Sequence, residues 1–306
     1  MVYRGFRLAC GAALAAIVVA LGAVRAAPES DAVLRTIDVA VTDASGAAVS
    51  GLVPEEIVVL ENGVARDVAS AKEDERPLNL LVLVDSSRMI GSSFRLHVVP
   101  AVGEFLGRLP RSTRYTLWTT GDRPEKRVGP TGDPALGYRS LERVHPQGGN
   151  TMLDALVEAS RELEVAEGER SAVVAVSGMG IEFSNRERRQ IVELAAPNAE
   201  EFSIVHFREG DADSQMQANY GFVFDGLTRR TDGVYETPLS VMGVASALES
   251  LSADIHGRYR IRYATLLEIE AQEVKVEVAR PGVQGRVIRT SDEDSVQSAE
   301  ESAKAE

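Results

Sequence analysis

Apolar and polar positions change rhythm twice along this chain. Val33 to Val41 (VLRTIDVAV) alternates, which predicts a half-buried strand. The turn-rich stretch TDASGAAVSGL follows, and then Ile57 to Leu60 as a second strand. Glu61-Asn62-Gly63 is a tight-turn signal leading into a third strand over Ala65 to Ala71. This part predicts a small all-β unit, completed with its charged linker KEDERP (Lys72 to Pro77) within residues 27–77.

Beyond Pro77 the alternation stops. LNLLVLVD reads as a strand buried on both faces, as in a parallel sheet covered by helices. Further strands are predicted at Tyr115 to Thr120, Ser171 to Val176, Phe202 to Phe207 and Gly233 to Glu236. Helices are predicted between them. Ser93 to Leu109 is one, with Pro100 kinking it or delaying its start. Thr151 to Leu163 is an amphipathic helix, and Ser184 to Leu194 opens on a Ser184/Glu187 capping box. The last helix opens at Thr237-Pro238 and runs to about Leu251. Arg127 to Val144 reads as a short edge strand and loops, and Glu209 to Leu227 as a polar, irregular loop. Strands and helices in this succession predict an α/β domain over residues 78–255, with a parallel-rich sheet and helices on both faces.

Alternation then returns. Tyr259 to Tyr263 and Glu273 to Ala279 (EVKVEVA) read as strands, and Arg286 to Arg289 is placed to pair with the latter across PGVQG. These strands, within 256–290, extend a β unit that is open to being the N-terminal one. Residues 291–306, SDEDSVQSAEESAKAE, are acidic and free of aromatics, a composition expected to be disordered.

The first 26 residues stand apart. A basic start (Arg4, Arg7), an apolar stretch from Leu8 to Leu21 and the small-residue site Val24-Arg25-Ala26 predict a cleaved secretory signal. The alternative is a retained anchor, although the stretch is short for a span and is broken by Gly11 and Gly22. The expectation is an exported protein, periplasmic or secreted, with no membrane span after cleavage. The single cysteine, Cys10, lies in this segment, so the mature chain is expected to carry neither disulfide nor thiol chemistry. Net charge is −13, and removing the segment takes away three arginines and no acid. Such a chain repels nucleic acid and anionic membranes.

Chemistry-bearing patterns are sparse. The sequence has no G-x-S-x-G, no phosphate loop and no S-x-x-K pair around Ser86 or Ser87. The four histidines are scattered; His206, near the end of an apolar strand, reads as a core or strand-end residue. Trp118 reads as core packing, and GDAD, with Asp211 and Asp213, as a solvated loop. No catalytic or cofactor-binding residue is assigned, and no enzyme is expected. The feature that needs explaining is Asp85-Ser86-Ser87 at the end of the most apolar strand. It either starts a turn, as Asp and Ser often do, or holds something.

VTDASGAAVSGLVPEEIVVLENG, the α/β middle, and RYRIRYA with its paired β ending resemble exported bacterial proteins described as VWFA-related, acidobacterial type. The resemblance covers roughly residues 35 to 290 and implies a von Willebrand factor A-like, Rossmann-like fold with a small all-β unit. It also implies a divalent-cation site at the strand ends. Asp85-Ser86-Ser87-Arg88-Met89 matches the family's Asp-x-Ser-x-Ser at Asp85 and Ser87, with Met89 in place of the second serine. GGNTMLDAL supplies Thr151. The family's last aspartate falls on Gly178, within Ser177-Gly178-Met179. The implied metal residues are therefore Asp85, Ser87 and Thr151, a degenerate metal-ion-dependent adhesion site holding Mg²⁺ or Mn²⁺ weakly or not at all. Glu182 is a candidate stand-in carboxylate. The residues also allow readings without metal: Asp85 and Ser87 organising a turn, Thr151 and Asp154 forming a capping box, Gly148 and Gly149 permitting the bend. The function so implied is an exported protein-binding or scaffolding module with an unidentified protein partner. The 209–227 loop, with Met216, Tyr220 and Phe222, is a candidate contact surface; the other reading is an ordinary surface loop with its apolar residues tucked inward. The alternative is an enzyme or metal-dependent adhesin using a rebuilt cation site near Asp85.

Overall fold

In the computed structural model, which describes residues 32–209, 213–266 and 273–291, the unbroken apolar run is the central strand β5 (Leu78–Val84) of a six-stranded sheet. Its parallel neighbours are β6 (Thr113–Thr119) and β8 (Arg170–Gly178). Outside β8 lie β9 (Glu201–Phe207) and the two-residue β10 (Tyr235–Glu236), both parallel. An antiparallel edge strand, β7 (Glu125–Thr131), flanks β6. Side chains alternate across a strand, so Leu80, Val82 and Val84 pack to one side while Leu81 and Leu83 pack to the other. The first side is covered by α1 (Val99–Arg108), α2 (Pro134–Glu142) and α6 (Val244–His256). The second is covered by α3 (Met152–Ser160), α4 (Arg188–Ala195) and α5 (Ser214–Arg230). With both faces buried, no strand in the middle needs a polar stripe, which is why β5, β8 and β9 read as continuous apolar runs.

The flanking segments assemble a second core. β1 (Ala32–Thr42) lies between β11 (Arg258–Leu266) and β13 (Gln284–Ser291), and β4 (Val68–Glu73) pairs with β11. Facing this sheet, β2 (Ile57–Glu61) pairs with β3 (Val64–Arg66) and β12 (Val274–Val278). Ile37, Val39, Ile57, Val59, Tyr259 and Ile261 fill the space between. The C-terminal strands thus complete the N-terminal unit. Buried ion pairs join this sandwich to the α/β layer: Arg258 Nη2 donates to Glu201 Oε2 at 2.7 Å and to Asp254 Oδ2 at 2.6 Å, and Arg76 Nη2 donates to Asp38 Oδ2 at 2.8 Å and to Asp74 Oδ2 at 2.7 Å.

Several expectations need correction. The 209–227 segment is a helix from Ser214 onward, because Tyr220, Val223, Phe224 and Leu227 recur at helical spacing and Asp213 caps it through Met216 N–H at 2.8 Å. Arg127 to Val144 contains α2, started by Asp133 with Pro134 at the first turn. The third strand divides at Asp67 into β3 and β4, which join different sheets. β13 pairs with β1 rather than with β12. The linker begins later than expected, since Lys72 and Glu73 extend β4. The 184–187 capping box does not form; α4 begins at Arg188, and Ser184 is engaged with Glu182. The last helix starts at Val244 after a short 3₁₀ turn, and Thr237 does not cap it. Pro100 sits in the first turn of α1, directly after a π-helical turn over Phe94–Val98, so the α-helix starts late rather than kinking. The predicted signal segment with Cys10, Asp211 and the acidic tail beyond Ser291 lie outside the described residues. Among the described residues no helix is long and apolar enough to cross a membrane.

Candidate functional site

Asp85, Ser87, Thr151 and Gly178 meet at the C-terminal ends of β5, β6 and β8. Asp85 follows β5 directly, and its N–H donates to Val176 O at 2.8 Å. Its side chain is fully buried. Three donors converge on the carboxylate: Ser87 N–H on Oδ1 at 2.8 Å, and Asn150 Nδ2 at 2.9 Å and Gly178 N–H at 3.0 Å on Oδ2. Burial still pushes the Asp85 carboxyl up to about 6, against the pull of those donors.

Ser87 is buried, with its side-chain hydroxyl beside the Asp85 carboxylate. Thr151 is buried too, with its hydroxyl donating to Thr120 O at 2.8 Å. That bond overturns the capping box with Asp154. Asp154 instead accepts from Asn185 N–H at 3.0 Å and Arg186 Nη1 at 2.7 Å. Ser86 Oγ accepts from Gly121 N–H at 3.0 Å. Gly148 has φ +62°, and a Cβ there would lie 2.8 Å from Asp122 Cα, so the turn reading of this glycine holds.

The organising residue is Asn150, which sequence reasoning passed over. It has no exposed surface. Its Nδ2 reaches Asp85 Oδ2, Ser177 Oγ at 3.1 Å and Tyr220 Oη at 3.2 Å. Its Oδ1 accepts from Thr120 Oγ1 at 2.7 Å and Met152 N–H at 3.1 Å, so Asn150 rather than Thr151 serves the start of α3. Its backbone clamps the loop after β8: Asn150 N–H donates to Ile181 O at 2.9 Å, and Phe183 N–H donates to Asn150 O at 2.7 Å. That loop lies over the strand ends and delivers Glu182 next to them. Tyr220 Oη donates to Gly180 O at 3.1 Å and also lies against the buried Glu182 carboxylate. Burial pushes the Glu182 carboxyl up to about 7, with the charge of Asp85 adding to the effect. Nothing local marks Asn150 in the sequence. Tyr220 was legible through the helical spacing it shares with Val223, Phe224 and Leu227.

Does this set suit a divalent cation? Mg²⁺ and Mn²⁺ select several oxygens in near-octahedral array. Here Asp85 is met by three N–H groups and the Thr151 proton is committed to a carbonyl. Met89 offers a thioether, a soft donor. A side chain at Gly178 would run into Glu209 O, 3.0 Å from its Cβ position. Among the described residues no three His, Cys, Asp or Glu gather as a metal-binding group. The donors present do not fit a hard cation.

Residues 80–181 match the von Willebrand factor type A domain model. The chain carries a von Willebrand factor A-like domain. Among solved structures, the von Willebrand factor type A protein of Catenulispora acidiphila aligns over 85% of this chain and 72% of its own, with a TM-score of 0.50 and 10% identity. Proximal thread matrix protein 1 from the mussel byssus, solved with a zinc-occupied adhesion motif, aligns over 64% of this chain and 50% of its own, with a TM-score of 0.50 and 13% identity. At such identities the likeness is one of fold. No curated protein matches the sequence. The match to the A domain begins at the central strand β5 and ends at Ile181, in the loop that Asn150 clamps.

Proposed function

We propose that this chain is an exported protein-binding module whose von Willebrand factor A-like domain works without a bound cation, held on a β-sandwich. One observation carries the reading: the Asp85 carboxylate is compensated from within the chain by Ser87 N–H, Gly178 N–H and the Asn150 amide. Protein donors then do the work of an ion in keeping the strand ends together. The partner is a protein met by the loops at that end of the sheet, where Ile181, Phe183, Leu239 and Met242 stand exposed. The strongly negative chain supports a protein partner over nucleic acid or an anionic membrane.

Thermal unfolding of the full chain with Mn²⁺, Mg²⁺ or EDTA, for the wild type and Asp85→Ala, tests the cation-free part. The expected result is no response to either ion. A Tm raised by millimolar Mn²⁺ in the wild type and not in Asp85→Ala would establish the metal-dependent adhesin instead. The binding part is tested by partner capture in EDTA with Phe183→Ser and Leu239→Ser, which are expected to lose the partner while Asp85→Asn retains it.

A further inference from the structure

Two short turns pack against each other beside the end of β9. The π-helical turn over Phe94–Val98 is pinned by Phe94 and Val98, both fully buried, so Arg95 and Leu96 point outward, with His97 half-buried beside them. The 3₁₀ turn over Val241–Gly243 is pinned by the buried Val241, which leaves Leu239 and Met242 outside. The exit of β9 ties the two together: the Ser93 hydroxyl donates to Glu209 Oε1 at 2.7 Å, and Arg208 N–H donates to Pro238 O at 3.1 Å. Leu239, Met242 and Leu96 are 77%, 74% and 66% exposed, the highest values among the large apolar residues described. Large apolar side chains gathered in water mark a contact surface. Charges of both signs surround them. Arg95 adjoins Leu96, Arg208 and Glu209 follow β9, and Glu236 ends β10 three residues before Leu239. Among the described residues none of these four forms an ion pair, and the Glu209 carboxylate meets only the Ser93 hydroxyl. In the sandwich and at its junction, by contrast, Arg35, Arg66, Arg76, Arg258 and Arg280 are all paired.

We propose that two copies of the chain meet here about a two-fold axis, with Leu96, Leu239 and Met242 of each as the dry centre and Arg95, Arg208, Glu209 and Glu236 as the rim. The inference rests on the protein-binding reading and names the protein met at these turns. Two cations and two carboxylates on one surface are self-complementary: a two-fold contact sets the arginines of each copy against the glutamates of the other. At a net charge of −13 the chain repels its own copies elsewhere, so a locally balanced surface is where they approach. Other occupants answer less of the patch. A nucleic acid or an anionic membrane opposes the two glutamates as well as the charge of the whole chain. The acidic residues 292–306 of the same chain would answer the arginines, leave the glutamates facing like charge, and bring only Val296 and alanines to the apolar centre. Any partner of one sign leaves half the rim unmatched. A closed two-fold contact also stops at two copies.

The test is sedimentation velocity of the full chain in EDTA, from micromolar to submillimolar concentration. The expected result is a monomer–dimer equilibrium. Leu239→Ser/Met242→Ser is expected to weaken the dimer about tenfold or more, with circular dichroism unchanged because both side chains are exposed. A charge swap tests the rim. Arg95→Glu/Arg208→Glu and Glu209→Arg/Glu236→Arg are each expected to stay monomeric alone and to form a heterodimer when mixed. The proposal is overturned by a wild type that stays monomeric throughout, by a dimer that survives Leu239→Ser/Met242→Ser, by charge variants that do not associate on mixing, or by growth beyond two copies. A monomeric wild type leaves capture of a different protein standing, so this failure is distinct from failure of the protein-binding reading. Working in EDTA keeps the result apart from the question of a bound cation.

Discussion

Asn150 is the residue on which the strand ends depend. Replacing it with alanine removes the amide from Asp85, Ser177 and Tyr220 at once and leaves a buried carboxylate short of a donor. Urea denaturation is expected to show a loss of about 3 kcal/mol, against about 1 kcal/mol for Tyr220→Phe, which removes a single hydroxyl. His206 makes a different prediction. It is buried among Tyr220, Phe224 and Tyr235, with Nδ1 3.0 Å from the Tyr235 hydroxyl and Nε2 unpartnered. Burial holds its pKa down to about 4, from 6.5. Between those values the unfolded chain takes up a proton that the folded chain refuses. Its contribution to stability therefore falls as pH drops from about 6.5 toward 4, by up to roughly 3 kcal/mol. Asp85 and Glu182 act in the opposite sense. Their raised values mean the folded state binds protons first, so their contribution rises as pH falls from about 7. The wild-type profile mixes both. The difference between wild type and His206→Phe, measured in urea at pH 7 and pH 5, isolates the histidine; the variant is expected to lose less stability on acidification.

At the scale of elements, glycines give opposite predictions according to where they lie. Gly221 lies inside α5 with nothing within 4 Å of a Cβ built on it. Gly221→Ala is expected to raise stability by about 0.5–1 kcal/mol through helix propensity alone. Gly148 has φ +62° and Asp122 against it, so Gly148→Ala is expected to lower stability by about 2 kcal/mol. Calorimetric melting of both variants checks the signs. A helix through 214–230 also removes one reading of the partner surface: Tyr220 lies on the buried face of α5, Met216 packs against the core, and only Phe222 of the three faces out.

At the scale of the whole molecule, two cores meet along a row of buried ions. Arg258 is almost fully buried between Glu201 and Asp254. Removing the cation leaves two carboxylates without it in a low-dielectric junction, so Arg258→Met is expected to cost about 3 kcal/mol in guanidinium denaturation. The junction also explains a linker that reads as loose charge: Asp74 is held between Arg76 and, at 3.6 Å, Arg170 at the start of β8.

What the sequence determined by itself is whatever depends on local periodicity. Unbroken apolar runs at β5, β8 and β9, the alternation of β1 and β12, and the α/β succession between them were all legible, because burial on one face or two is written directly into hydrophobic spacing. α2 and α5 were hidden only by polar composition, although their caps, Asp133 and Asp213, and the Tyr220–Leu227 spacing carried the information. Strand pairing was not local. β13 chose β1 over β12, and β3 and β4 parted at Asp67, since either partner satisfies the same alternation and only the closing of two sheets over one core selects between them. The site divides in the same way. Asp85, Ser87 and Thr151 were visible as types in a pattern, and the fold brings them to one end of the sheet. That Asn150 and two backbone N–H groups answer the carboxylate was decided by tertiary structure, because Ser87, Asn150 and Gly178 reach Asp85 from three separate stretches of chain.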